Sequence, residues 1–230
     1  MRAGIVVFPG SNCDRDIHHV LNNIMGINAK YIWHTEESID EYDALILPGG
    51  FSYGDRLRAG VIAAKSPIVH AMKQKALDGL PILGICNGFQ ILVEAGLLPG
   101  ALMKNVKLQF SCKWLKLEVV NINTPFTNMF RLNDEITIPI AHGEGRFVIN
   151  KDKLRELKQN NQIVFKYKDQ NPNGSTDMIA SICNKEGNVM GLMPHPERAS
   201  ESILWPERTR SNAVLIFHSL KNFLSSRIKI

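Results

Sequence analysis

The chain has 230 residues, 44% hydrophobic and 21% charged, with 17 Gly and 11 Pro, a composition that fits a folded α/β unit and excludes a disordered chain. Its net charge of +5 comes from 27 basic residues spread along the sequence rather than gathered with aromatics, so no nucleic-acid partner is expected. No apolar run approaches the ~20 residues of a membrane span. The opening Gly4-Ile5-Val6-Val7-Phe8 reads as a strand rather than a signal core, which makes the cytoplasm the expected location and a membrane partner unexpected.

The first hundred residues alternate short β-branched runs with helix-period stretches, the pattern of a parallel sheet covered by helices. Strands are predicted at 3–8, 29–33, 44–47 and 82–85, and helices at 14–25, 66–77 and 87–95. From residue 101 to about 189 alternating segments take over, at 113–121, 135–140, 146–149, 163–167 and 178–183. These read as an antiparallel extension of the same sheet, interrupted by a helix at 151–159 and a turn at Asn171-Pro172-Asn173-Gly174. A strand at 189–193, a Pro-rich loop and a helix at 210–226 close the chain. No linker or repeat marks a second domain, so one open, doubly wound sheet is expected over residues 1–230.

Cys13, Cys86, Cys112 and Cys183 are too scattered for a disulfide framework and form no C-x-x-C pair, and no metal-ligand cluster is visible. One of them stands in a distinctive place: Leu83-Gly84-Ile85-Cys86-Asn87-Gly88-Phe89-Gln90 runs from an apolar strand through Gly-x-Cys-x-Gly into a helix. This is nucleophile-elbow geometry with sulfur as the nucleophile; the flanking glycines allow the tight turn, and the helix start offers free N–H groups to an anion. A small buried cysteine beside two turn glycines would look the same. The second signal is Met193-Pro194-His195-Pro196-Glu197, in which the prolines favour extended backbone and residues two apart then project the same way, giving His195 an orienting carboxylate in Glu197. With Cys86 these make a candidate catalytic triad.

A third element, Pro48-Gly49-Gly50-Phe51, also follows a strand, and its backbone N–H groups suit an oxyanion: Gly50 N–H with Asn87 N–H is the expected oxyanion hole. Paired glycines there would also let the peptide flip between two orientations.

Gly84 to Gln90 with the distant Pro194-His195-Pro196-Glu197 resembles the class I, or triad, glutamine amidotransferases. Phe8-Pro9-Gly10-Ser11-Asn12-Cys13-Asp14, Pro48 to Asp55, Ile140-Ala141-His142-Gly143-Glu144-Gly145 and Asn171 to Ser175 narrow the likeness to the purine-biosynthetic branch, in which the glutaminase serves a separate synthase. The resemblance implies a flavodoxin-like open sheet, mostly parallel with an antiparallel extension. It also implies glutamine hydrolysis by Cys86, His195 and Glu197, with Gly49, Gln90, His142 and Gly143 contacting the substrate. No cofactor is then expected in this chain. ATP and Mg belong to the partner synthase subunit, which aminates formylglycinamide ribonucleotide, and a small accessory subunit joins the complex. The absence of a G-x-x-x-x-G-K-[ST] loop is consistent with that division of labour. The alternatives are another triad amidotransferase, or a regulatory subunit that binds glutamine without turning it over. Cys13 reads as structural or as part of a partner interface.

Overall fold

The structure, a computed structural model, describes residues 1–227. Its strands are β1 (Arg2–Val7), β2 (Asn28–Trp33), β3 (Ala44–Leu47), β4 (Ile82–Ile85), β5 (Ala101–Met103), β6 (Ser111–Val119), β7 (Glu135–His142), β8 (Arg146–Val148), β9 (Ile163–Tyr167), β10 (Ile179–Cys183) and β11 (Val189–Leu192). Nine of them form the main sheet, in the order β2-β1-β3-β4-β11-β10-β9-β6-β7. The five from β2 to β11 are parallel, and β10, β9, β6 and β7 continue the sheet antiparallel. The helices are α1 (Asp14–His19), α2 (Pro67–Leu77), α3 (Asn87–Glu94), α4 (Lys151–Gln159) and α5 (Leu215–Arg227).

The expected flavodoxin-like architecture is therefore observed. β3 and β4 are buried at every position, as central parallel strands covered on both faces must be, which is why they read as unbroken apolar runs. From β1 the sheet extends one way to β2 and the other way to β3, the reversal of strand order that marks a doubly wound sheet. In β7 the alternation is clean, with Ile136, Ile138, Ile140 and His142 all buried.

Three details depart from the sequence reading. The segment at 146–149 does not extend the main sheet: β8 pairs with β5, a strand the sequence did not reveal, in a separate two-stranded sheet. The first helix widens after His19 into a π-helical turn over Val20–Ile24, where Met25 N–H reaches Val20 O. The last helix starts at Leu215 rather than 210. Among the described residues no helix is long and apolar enough to cross a membrane.

Helix α3 lies unusually close to the strands that carry the site. A Cβ at Gly88 would stand 2.1 Å from Leu47 O of β3, and one at Gly191 of β11 would stand 2.0 Å from the Phe89 ring. Only glycine at these two positions lets the helix pack there.

Candidate active site

β4 delivers the chain into α3 through Cys86, which adopts φ 51° and ψ −104°, a strained backbone for an L residue. The strain sits on Cys86 alone. Gly84 and Gly88 have ordinary φ values and are glycines because of close approach: a Cβ at Gly84 would come within 2.7 Å of the Gly88 carbonyl. Cys86 N–H donates to Leu192 O of β11 at 2.8 Å, and its Sγ lies 3.7 Å from Ala141 O of β7. The backbone of Cys86 is thus tied to β11 while its sulfur faces β7.

His195 and Glu197 follow β11, both about 1% exposed. His195 N–H donates to Pro139 O at 2.8 Å, and its Nδ1 is 2.6 Å from Glu197 Oε1. A carboxylate only accepts, so Nδ1 carries the proton. The pair does not meet along extended backbone: Pro196 has φ −65°, ψ −29° and opens a helical turn at Glu197–Ala199 that swings the carboxylate back to the imidazole. His195 Nε2 is buried without a partner in the chain. Burial alone would push this imidazole down, but the Glu197 carboxylate, with the Cys86 sulfur next in strength, holds it well above the ordinary histidine value. Gly49 forms the opposite wall, since a Cβ there would stand 2.7 Å from His195 Cε1.

The Gly49-Gly50 peptide is pinned. Gly49 O accepts from Asn12 N–H and Cys13 N–H, both at 3.1 Å, while Phe51 N–H donates to Gly10 O at 2.9 Å. Gly50 itself has φ +153° and bridges Ser11 across an antiparallel contact. A flip of this peptide would break both bonds to Gly49 O, so the free rotation expected from two glycines is absent. Among the described residues neither Gly50 N–H nor Asn87 N–H donates within the chain, which leaves both for a ligand. The Asn87 side chain accepts from Ser52 N–H at 3.1 Å and donates to Gln90 Oε1 at 2.9 Å, and Gln90 Nε2 donates to Glu144 O at 2.7 Å. Gln90 therefore ties α3 to the loop after β7.

His142 ends β7 and Gly143 opens that loop. His142 is buried at the inward phase of β7, and its Nδ1 donates to Asn105 Oδ1 at 3.1 Å. Burial, reinforced by His195, pushes its pKa down to about 4, so it is neutral at physiological pH. Gly143 is open on its Cα side, where only Phe110 comes within 4 Å. Asn105, which the sequence reading missed, organises the whole turn. Its Nδ2 donates to Gln109 O and His142 O, both at 2.9 Å, its Oδ1 also accepts from Gly145 N–H at 3.1 Å, and its own N–H donates to Gly143 O at 2.9 Å.

Cys13, His195 and Glu197 bring a sulfur, a nitrogen and an oxygen within 4.8 Å of one another, a donor set that a soft cation takes. Two features oppose a cation there. The nitrogen and oxygen are bonded to each other, and the Arg198 guanidinium sits 3.0 Å from the sulfur.

Comparison with known proteins gives the family of the chain. The chain is 55% identical over 212 residues to the phosphoribosylformylglycinamidine synthase subunit PurQ of Moorella thermoacetica, covering 89% of this chain and 90% of the relative. A chain in the structure of PurLQS from Thermotoga maritima superposes with a TM-score of 0.87 at 46% identity, over 97% and 98% of the two chains. A more distant glutamine amidotransferase of Thermotoga maritima shares the fold, with a TM-score of 0.59 at 18% identity over 100% and 96%. The pattern of the CobB/CobQ-like glutamine amidotransferase domain matches residues 1–224, and the chain belongs to that family of class I glutamine amidotransferases.

Proposed function

We propose that the chain is the glutaminase subunit of phosphoribosylformylglycinamidine synthase. The observation that carries the reading is the strained Cys86 at the head of α3, beside a buried His195 whose Nδ1 is committed to Glu197. Cys86 sulfur attacks the side-chain amide carbon of glutamine, and His195 Nε2 takes the thiol proton and returns it to the leaving nitrogen. Ammonia departs and a γ-glutamyl thioester remains on Cys86. Water, losing its proton to His195, then cleaves the thioester to glutamate and restores the thiol. Gly50 N–H and Asn87 N–H stabilise the oxyanion of both tetrahedral species, and Glu197 holds the imidazole tautomer.

Gly49, Gln90, His142 and Gly143 shape the amino-acid end of the site. His142, neutral and fully enclosed, contributes through its backbone and packing rather than as an acid. Ammonia passes to a separate synthase subunit that binds ATP and Mg and converts formylglycinamide ribonucleotide to formylglycinamidine ribonucleotide, with a small accessory subunit in the complex. The PurLQS relative supports such a partner, and so do the exposed Phe51, Leu57, Leu108 and Phe110 beside the two loops of the site.

The test reconstitutes the complex with its synthase partner and compares glutamine with added ammonium as nitrogen donor. Cys86→Ala is expected to abolish glutamine-dependent synthesis and leave ammonium-dependent synthesis intact. Equal loss of both would place Cys86 in assembly rather than chemistry.

A further inference from the structure

Cys13 lies at the turn between β1 and α1, 1% exposed, and the triad chemistry gives it no task. Its Sγ is 3.0 Å from Arg198 Nη2 and 3.9 Å from His195 Nδ1, and a Cβ at Gly49 would stand 3.1 Å away. Arg198 has another anion at hand. Its Nε is 3.9 Å from Glu197 Oε1, and Glu197 Oε2 is buried without a partner. A guanidinium grips a carboxylate strongly when geometry allows, yet here its Nη2 is turned to sulfur.

We propose that Cys13, clasped by Arg198, is a positioning residue for His195: the sulfur closes the space behind the imidazole and holds the guanidinium at 3.9 Å from Glu197, short of a hydrogen bond, so the side-chain hydrogen bond of the carboxylate goes to His195. The proposal rests on the triad reading given above. Without the sulfur, Arg198 moves onto the open lone pairs of Glu197, the imidazole loses part of its counter-charge, and the space behind it admits rotation. The charged and titratable groups facing this cluster are Asp16 on α1, Cys86 at the head of α3, His142 at the end of β7, and Glu197 and Arg198 themselves. Loss of the Cys13 sulfur removes its own contact with His195 Nδ1 and frees the Arg198 guanidinium towards Glu197.

The test measures glutaminase kinetics against pH for the complex with its synthase partner, carrying wild type, Cys13→Ala, Cys13→Ser or Cys13→Ala/Arg198→Met. Cys13→Ala is expected to lower kcat roughly tenfold to a hundredfold with KM for glutamine within about twofold, the size of a misplaced catalytic group. Its acidic limb moves to lower pH, because His195 with less counter-charge protonates at lower pH. Adding Arg198→Met returns the limb towards the wild-type position by removing the competitor. Cys13→Ser, whose hydroxyl also accepts from Arg198, keeps most of kcat and guards against a folding defect in the alanine variant. An unmoved limb in Cys13→Ala, or a loss that Arg198→Met does not reverse, reduces Cys13 to packing and overturns the proposal. A wild-type complex unable to hydrolyse glutamine at all would fail the triad reading first, and the two failures are told apart by that control.

Discussion

Gly49→Ala presses chiefly on the imidazole of His195, with a lesser contact at 3.1 Å on the Cys13 sulfur behind it. The backbone accepts alanine there, since φ at Gly49 lies outside the left-handed region, but the new Cβ stands 2.7 Å from His195 Cε1. Ordinary contact begins near 3.4 Å, so the ring must retreat by about 0.7 Å. It has little room to do so, being buried and bonded to Glu197 at 2.6 Å. Overpacking of this kind costs about 1–3 kcal/mol of stability, a fall in Tm of several degrees for a chain of this size. Displacement of a proton-transfer group by a large fraction of an ångström costs on the order of 10²-fold in rate. The assay is glutamine-dependent against ammonium-dependent synthesis by the complex, with Tm of the purified chain measured alongside. We expect kcat with glutamine to fall by about that factor while ammonium-dependent synthesis holds. A variant with a lowered Tm and full glutamine turnover would refute the reasoning, because it would show the ring displaced without consequence.

His195→Ala should cost nearly as much as Cys86→Ala and Glu197→Gln less, with the Cys86/His195 double variant little worse than either single; multiplicative losses in kcat would deny a shared mechanism. His142, depressed to about 4 from an ordinary 6.5, contributes stability that is full above pH 6.5 and lost as pH falls towards 4, on the order of 3 kcal/mol. His142→Asn should flatten the Tm-against-pH curve over that window, and an unchanged slope would contradict it. Gly88→Ala, whose Cβ would lie 2.1 Å from Leu47 O, should lower Tm more than Gly49→Ala because it meets backbone rather than a side chain; equal melting would show that α3 can lift off β3. Asn105→Leu removes the bonds that shape the turn at His142–Gly145, and KM for glutamine should rise more than kcat falls.

The legible parts of the molecule are those whose physics is local. Cys86 is readable because strand, turn and helix are adjacent in the chain, and His195 with Glu197 because they stand two apart, although a turn at Pro196 rather than extended backbone joins them. The parallel half of the sheet is legible for the same reason, since β3 and β4 are short apolar runs bounded by turn residues. β5 was hidden because three residues carry no period, and with it the separate pairing of β8. His142 belonged to β7 by its alternation with Ile136, Ile138 and Ile140, a signal missed by ending that strand at 140. Asn105 and Cys13 left no local trace: the partners of Asn105 are mostly backbone groups, and Arg198 is 185 residues from Cys13. The pinning of Gly49 is similarly invisible, being the work of two N–H groups at the start of α1.

The place of β11 between β4 and β10 has a consequence for how the protein comes into being. β10 and β11 are near neighbours in the chain, but Met190 pairs with Leu83 across a large loop, and parallel pairings of that kind form late because chain entropy must be met before any contact rewards it. Cys86 rides on one side of that seam and His195 on the other. A chain halted in synthesis before β11, or trapped with its sheet half closed, carries the thiol without the imidazole proposed as its base. Glutamine hydrolysis is then withheld from immature molecules by topology alone, and the appearance of turnover during refolding should coincide with the last step of sheet closure rather than with the earlier gain of helix.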